Sequence, residues 1–290
     1  MQGGGWLTEW LSNLSILAIF FVSLAAMMLA AAFGQFVRRL KASRSEDDPD
    51  QSIAQEAVLL SGALGLLGLL LAFSFGMVLN RYESRRQLVT QEANAIGTAY
   101  LRAQLLDEPH RSRLSGLLIA YTDNRIKLAG TDLDHNPYLP TNDRLLTEIW
   151  AAVRAARESA LSHGITTALL VTFNEVIDLD TERKVAWQLR VPGEVLFLLL
   201  VYLMLTAAIL GHSADGPRAK RAALVLFILL ALSISVMSDV NRPMTGRSRE
   251  SQLAMIMLLQ SLKSQPAEVF DKFDVSREGG DAAGREGSGR

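Results

Sequence analysis

Four stretches of the sequence contain no Asp, Glu, Lys or Arg over a length that can cross a lipid bilayer. The hydrocarbon core is about 30 Å thick and a helix rises about 1.5 Å per residue, so a crossing needs roughly 20 apolar residues. The apolar residues are continuous rather than alternating, which favours helices over the strands of a barrel. The sequence therefore predicts an all-α integral membrane protein with four transmembrane helices. The charge-free runs are 11–37, 57–80, 195–214 and 222–238.

The charged residues lie between these runs. In residues 81–194 the apolar side chains recur at three- and four-residue steps, which predicts a helical bundle inserted between the second and third transmembrane helices. From residue 265 the chain is charged and Gly-rich, and we expect it to be disordered. The predicted segments are 1–37 (N-terminal flank and first transmembrane helix), 38–56 (short polar loop), 57–80 (second transmembrane helix), 81–194 (extramembrane helical bundle), 195–214 (third transmembrane helix), 215–221 (short basic loop), 222–238 (fourth transmembrane helix), 239–264 (C-terminal segment) and 265–290 (disordered tail).

The first apolar run has a second interpretation, a cleaved signal peptide, because three alanines at 30–32 are small enough for a cleavage region. The residues before the run contain no Lys or Arg, and the run is longer than the apolar part of a signal peptide. These two features favour a retained transmembrane helix.

Four crossings place both termini and residues 81–194 on one side of the membrane, and the two short loops on the other. The short loops are rich in Lys and Arg and the N-terminal flank has neither, so the positive-inside rule favours cytoplasmic short loops. Basic residues also flank the 81–194 segment at both of its ends. The charges therefore favour one orientation without deciding it.

Composition and motifs argue against several functional classes. The net charge of −1 gives no overall basic field for nucleic acid, and the absence of cysteine excludes disulfides, thiolate metal sites and cysteine nucleophiles. The sequence has no Gly-rich phosphate loop, no Ser nucleophile elbow and no zinc-protease helix. We interpret His135, which follows Asp132 and Asp134, and the acidic run 46–50 as parts of solvated loops. We expect no enzyme, no cofactor and no metal site.

The second charge-free run carries small residues at three- and four-residue steps. In lipid, small side chains allow helix backbones to approach closely, so this stripe predicts a packing face. The candidate helix-packing residues are Gly65, Gly68, Ala72 and Gly76.

A neighbouring face of the same run is bulky and apolar, and a basic cluster follows it. One interpretation is ordinary lipid-facing or bundle-filling bulk. The other is a hydrophobic constriction within an oligomer, which gates by excluding water. In the second case Arg81, Arg85 and Arg86 at the mouth would raise the local concentration of anions. The candidate pore-lining residues are Phe73, Met77, Asn80 and Arg81.

A series of short motifs occurs in a particular order along residues 57–262. The motifs are Asn80-Arg81-Tyr82-Glu83, Glu92-Ala93, Tyr100-Leu101-Arg102, Leu106-Asp107-Glu108-Pro109, Tyr121, Arg183-Lys184, Arg190-Val191-Pro192 and Asn241-Arg242-Pro243-Met244-Thr245-Gly246. In that order they resemble the bacterial bestrophin-like domain proteins, and the first of them also resembles the end of the pore helix in bestrophins. Two residues of the last motif depart from the family pattern, because Asn241 replaces an acid and Met244 replaces an aromatic residue.

The resemblance to bestrophins implies a pentameric anion channel with an aromatic neck and a cytoplasmic helical domain. That placement is opposite to the one the loop charges favour. The expected partners are the lipid bilayer, further copies of the chain as a homo-oligomer, and small anions, with no nucleic acid; the expected location is the bacterial inner membrane, as a multi-pass protein. The alternative function is a membrane-anchored interaction or sensory module whose helical bundle binds a partner.

Overall fold

The computed structural model describes residues 15–42, 49–131, 136–189, 191–214, 216–242 and 250–272. These residues form ten helices and no strand, which confirms the all-α prediction for the described part of the chain. The helices are α1 (Ile16–Ala42), α2 (Pro49–Ala103), α3 (His110–Leu128), α4 (Leu139–Ala155), α5 (Arg157–Ser162), α6 (Thr166–Gln188), α7 (Gly193–Ser213), α8 (Gly216–Val240), α9 (Leu253–Ser264) and α10 (Ala267–Asp271).

Four helical stretches are long and apolar enough to cross a membrane, as the charge-free runs predict. The second covers 46 residues, or about 69 Å at 1.5 Å per residue, more than twice the thickness of the hydrocarbon core. Its charges begin at Arg81, so its membrane-crossing part ends near Asn80 and its remaining turns lie outside the hydrocarbon. The stretches are Ile16–Leu40, Val58–Ala103, Thr166–Ser213, of which α7 is the apolar part, and Gly216–Val240.

The chain divides into two compact units, here called the membrane unit and the bundle unit. The membrane unit comprises Met1–Glu83 and Leu189–Arg249, and the bundle unit comprises Ser84–Gln188 and Glu250–Arg290. The bundle unit therefore draws on the C-terminal part of the chain as well as on the segment between the second and third spans.

In the membrane unit, α1 and α7 cross with their backbones in contact. A Cβ atom on Gly34 would collide with the backbone oxygen of Ala208, and one on Gly211 would collide with the backbone of Ala31. Such close crossings in lipid require small residues on both helices. The small-residue face predicted from the sequence lies on α2, and this second small-residue contact is not among the predictions. Around the crossing, a buried apolar core includes Met27, Leu67, Val78, Leu199, Leu203, Phe227 and Ala231.

The bundle unit has its own apolar core, built from the second half of α2 and from α3, α4, α6 and α9. The predicted helical periodicity is confirmed there, since Val89, Ala93 and Ile96 are all buried. Gly164, two residues after the end of α5, has a φ of +68°, in the left-handed region that favours glycine. Core residues include Val89, Ile96, Tyr100, Leu114, Leu118, Ile149, Phe173, Val176, Met255 and Leu262.

The C-terminal residues 250–272 complete this unit. Met255 and Leu262 of α9 lie in its core, and the Tyr100 hydroxyl donates a hydrogen bond of 2.8 Å to the Gln265 carbonyl. The segment that we expect to be disordered from residue 265 begins with the helix α10, where Asp271 accepts two hydrogen bonds from Arg111, of 2.6 and 3.0 Å.

Some predictions fall outside the described residues. These concern the N-terminal flank to residue 14, loop residues 43–48, residues 132–135 with His135, Arg190, residues 243–249 and the tail from residue 273.

Candidate pore segment and buried ionic cluster

The four candidate pore-lining residues are all exposed on the surface of the single chain. Phe73 has 66% of its surface exposed and Met77 has 38%. Asn80 and Arg81 are also exposed. The opposite side of this part of α2 is buried in the core of the membrane unit by Leu67, Ser74 and Val78. The helix therefore has one side that packs within the membrane unit and one bulky apolar side that the described residues leave exposed.

The predicted pore-lining and helix-packing residues share part of one surface. Leu69, Ala72, Phe73, Gly76, Met77 and Asn80 line a shallow groove along α2. Their spacing of three and four residues places them on one side of a helix. Because Ala72 and Gly76 are small, they leave open space beside the Phe73 and Met77 side chains.

The small residues of α2 make no close helix contact with the part of the chain that the structure describes. A Cβ atom built on Gly65, Gly68 or Gly76 meets no atom of the described residues within 4 Å. This differs from Gly34 and Gly211, whose missing Cβ atoms leave room for a neighbouring backbone. The face with Gly65, Gly68, Ala72 and Gly76 is therefore open to lipid or to a second protein chain.

The basic residues after Asn80 are not all exposed, as residues at the mouth of a pore would be. Arg81 and Arg86 are exposed. Arg85 has only 2% of its surface exposed, and its Nε lies 3.1 Å from Oε1 of Glu250, which is also buried. The expectation that Arg85 attracts anions from solution is therefore wrong, because its charge is buried against a carboxylate.

The bundle unit contains a cluster of buried charges, here called the ionic cluster and defined by Glu92, Arg125, Asp180 and Arg183. Glu92 accepts hydrogen bonds from Nε and Nη2 of Arg125, at 2.7 and 3.1 Å, and from Nη1 of Arg183. Nη1 of Arg125 lies 3.0 Å from Oδ1 of Asp180. All four residues are at most 2% exposed. Two carboxylates and two guanidiniums thus compensate each other inside an otherwise apolar core.

Neutral and half-buried groups add further polar contacts to the ionic cluster. The Tyr121 hydroxyl donates to Glu92 at 2.8 Å, and Asn142 Nδ2 donates to Asp180 at 2.9 Å. Lys184 Nζ lies 2.8 Å from the other oxygen of Asp180. The Trp187 ring covers both guanidiniums, with Arg125 at 5.3 Å and Arg183 at 5.1 Å from the ring centroid.

The positive charges of the ionic cluster control its ionisation. Burial alone would raise the pKa of Glu92, but the charges and hydrogen bonds of Arg125 and Arg183 lower it from 4.5 to about 2. The pKa of Tyr121 is raised well above 10.0, first by burial and then by the negative charge of Glu92. At neutral pH the cluster therefore contains an ionised Glu92 and a neutral Tyr121 that donates to it.

Several motif residues meet in these sites. Glu92, Tyr121 and Arg183 belong to separate motifs and contact one another in the ionic cluster. In the membrane unit, Asn241 Oδ1 accepts a hydrogen bond of 3.1 Å from the backbone N–H of Val191, which precedes Pro192 at the start of α7. Asn241 thus retains an acceptor oxygen at a position where the family pattern has an acid.

The residues predicted from the sequence do not include Arg125, Asp180 or Trp187, although the helical positions of these three are informative. Arg125 continues the buried stripe of α3 that contains Leu114, Leu118 and Tyr121. A basic residue at a buried helical position indicates a buried partner, because an uncompensated ion is too costly to desolvate. In α6 the equivalent stripe runs through Leu169, Phe173, Val176, Asp180, Arg183 and Trp187.

The described residues contain no group of three or more His, Asp or Glu side chains arranged to hold a metal ion.

The four apolar helical stretches and the helical unit with its buried ion pairs define a multi-pass α-helical membrane protein. The sequence matches the bestrophin-like domain over residues 24–252, which is most of the chain. The protein therefore belongs to the bestrophin-like family.

Solved structures support the same fold. Crystal structures of three variants of a bacterial bestrophin homologue from Klebsiella pneumoniae align with TM-scores of 0.63, 0.58 and 0.57 at 15%, 15% and 16% identity. The alignments cover 87%, 85% and 86% of this chain, and 100%, 99% and 99% of the homologue. At this identity the likeness concerns the fold alone. No curated protein matches the sequence.

Proposed function

We propose that the chain assembles into a homo-oligomer that conducts small anions across the bacterial inner membrane, through a conduit lined by α2. The observation that carries this proposal is the open side of α2, where Phe73 and Met77 are exposed while Leu67 and Val78 pack inward. The bestrophin-like family supports it, because the resemblance to bestrophins implies an anion channel.

The physical basis of the conduit is an apolar constriction with a basic end. Bulky apolar side chains around a narrow passage exclude water and so limit ion flow. Arg81 directly follows the apolar run and is exposed, so its charge raises the local concentration of anions over cations. The four charge-free runs contain no Asp, Glu, Lys or Arg, which argues against a proton-coupled pump.

The test is ion flux from liposomes that contain the wild-type protein, Phe73→Ala, Met77→Ala or Arg81→Ala. Shortening either apolar side chain should widen the constriction and increase chloride flux. Removing the Arg81 charge should lower the preference for chloride over potassium. The matched control is Phe197→Ala, which shortens a phenylalanine on α7 that is 53% exposed. Flux at the level of empty liposomes for both Phe73→Ala and Met77→Ala would contradict the proposal.

The oligomer is tested separately through the open small face of α2. Gly68→Leu adds a bulky side chain where the single chain offers free space, so the chain itself should fold normally. If Gly68 packs against a neighbouring copy, the variant should shift the purified protein toward smaller species in mass measurements. Gly116→Leu is the control, since Gly116 on α3 has equally open surroundings and lies outside the proposed contact. A monomeric wild-type protein would instead favour the membrane-anchored interaction module.

A further inference from the structure

The membrane unit has an apolar groove on a surface separate from the proposed conduit. The groove lies between α1 and α8, with Met28 and Ala32 on one wall and Leu224 and Phe227 on the other. Gly211, where α7 contacts the backbone of α1, also lines the groove and contributes no side chain to it. The volume is about 300 Å³.

The groove is polar only toward one end. Gln35 and Lys220 are its polar lining residues, and Lys220 precedes the charge-free run 222–238 by two residues. The apolar walls therefore lie at the depth of the hydrocarbon, whereas the Lys220 ammonium group lies at its edge. This polarity matches a phospholipid, which has an acyl chain joined to a charged headgroup.

The charges at this end favour a negatively charged headgroup. Arg38 donates a hydrogen bond of 3.3 Å to the carbonyl of His212, which places a second cation beside the residue that follows Gly211. Arg218 and Arg221 flank Lys220 in the sequence, and Asp215 is the one acid in residues 210–224. Basic clusters next to membrane helices attract anionic lipids, and basic pockets between such helices bind their headgroups.

We propose that this groove binds one anionic phospholipid, with an acyl chain between α1 and α8 and its phosphate group at Lys220. A second copy of the chain fits less well, because a helix with its side chains is about 10–12 Å across and the groove is at the small end of the usual range for ligand pockets. Lipid binding here does not depend on ion conduction, and it would also occur in a protein that conducts nothing.

The test is native mass spectrometry of the detergent-purified protein with added phosphatidylglycerol. We expect one tightly bound phosphatidylglycerol per chain and no equivalent binding of phosphatidylcholine. Lys220→Gln should weaken binding about fivefold, since one cation near a charged membrane surface contributes on the order of 1 kcal/mol. Lys263→Gln is the control, because it removes an exposed positive charge from α9 of the bundle unit, outside the groove and its basic cluster.

A second variant tests the acyl-chain part of the site. Ala32→Trp should fill the groove and abolish binding, whereas Leu17→Trp places the same side chain at an exposed position of α1 away from it. Wild-type binding by both Lys220→Gln and Ala32→Trp would overturn the proposal. So would equal binding of phosphatidylcholine, which would indicate non-selective lipid contact, or full displacement by inorganic phosphate, which would indicate a site for the free anion.

Discussion

Arg125 and Glu92 form a bidentate ion pair in which neither side chain has any exposed surface. The Nε–Oε1 and Nη2–Oε2 distances are 2.7 and 3.1 Å, and the pair joins α3 to α2. Removing two ions from water costs several kcal/mol each, and the loss is offset only when geometry is good and the other polar atoms are bonded. Tyr121 and Arg183 supply those additional bonds to Glu92.

Glu92→Gln should therefore destabilise the bundle unit by about 3–5 kcal/mol, the usual cost of leaving a buried charge without its partner. The free energy of unfolding can be measured by chemical denaturation in detergent, followed by circular dichroism. Glu148→Gln is the control, because the Glu148 side chain is 43% exposed and lies 3.8 Å from Arg144, so its loss should cost less than about 0.5 kcal/mol. Equal stability of the two variants would show that the buried pair contributes no more than a surface pair.

The acid stability of the protein should depend on the same carboxylate. Arg125 and Arg183 lower the pKa of Glu92 from 4.5, its ordinary value in an unfolded chain, to about 2 in the folded protein, so the folded protein binds the proton more weakly. The resulting stability is fully present above pH 4.5 and is lost as the pH falls toward 2, by about 3 kcal/mol in total. Unfolding curves between pH 5 and pH 2 should show this loss in the wild type and a smaller one in Glu92→Gln. An identical slope for both proteins would assign the acid sensitivity to other groups.

The crossing of α1 and α7 should not tolerate even one added methyl group. Gly34→Ala places its Cβ against the backbone of Ala208, so the helices must separate, at a cost of about 1–3 kcal/mol. Gly65→Ala has open space and should be neutral or slightly stabilising, because alanine favours a helix over glycine by about 1 kcal/mol. Thermal unfolding in detergent measures both. A normal unfolding temperature for Gly34→Ala would mean that the two backbones are farther apart in the membrane.

The orientation of the protein can be measured with single cysteines, since the native chain has none. Ser162 is exposed in the bundle unit, and Ser43 belongs to the predicted short loop between the first two spans. If the short loops are cytoplasmic, a membrane-impermeant maleimide should label Ser162→Cys but not Ser43→Cys in intact cells. Labelling of Ser43→Cys alone would reverse the orientation and favour the cytoplasmic helical domain that the resemblance implies.

The membrane helices were the most predictable part of this fold, because the cost of placing a charge in hydrocarbon dominates all local preferences. A charge-free run long enough to cross the membrane therefore has few alternative structures. The helices of the bundle unit were also predictable, since residues such as Val89, Ala93 and Ile96 repeat at the period of a helix. Periodicity identifies which side of a helix is buried, but not which helix covers it.

That limit explains why the partners of the buried charges cannot be predicted from the sequence. Glu92 and Arg183 are 91 residues apart, and nothing local to either residue specifies the other. The sequence predicts Arg85 at the mouth of a pore, because nothing near Arg85 in the sequence indicates a partner. Its partner, Glu250, follows the fourth span. The apolar residues Met255, Leu258 and Leu262 have helical spacing and indicate an amphipathic helix, but their membership in the bundle unit depends on tertiary packing.

The bundle unit is made from two separate pieces of chain, and this has a consequence for biosynthesis. Arg85 and Trp187 both contact Glu250, but α7 and α8 are synthesised between residues 188 and 250. At 5–20 residues per second the ribosome needs roughly 3–12 s for these 62 residues. Arg85 and Trp187 are therefore synthesised before the carboxylate that they bind. The unit reaches its native state only after both remaining membrane helices have been made.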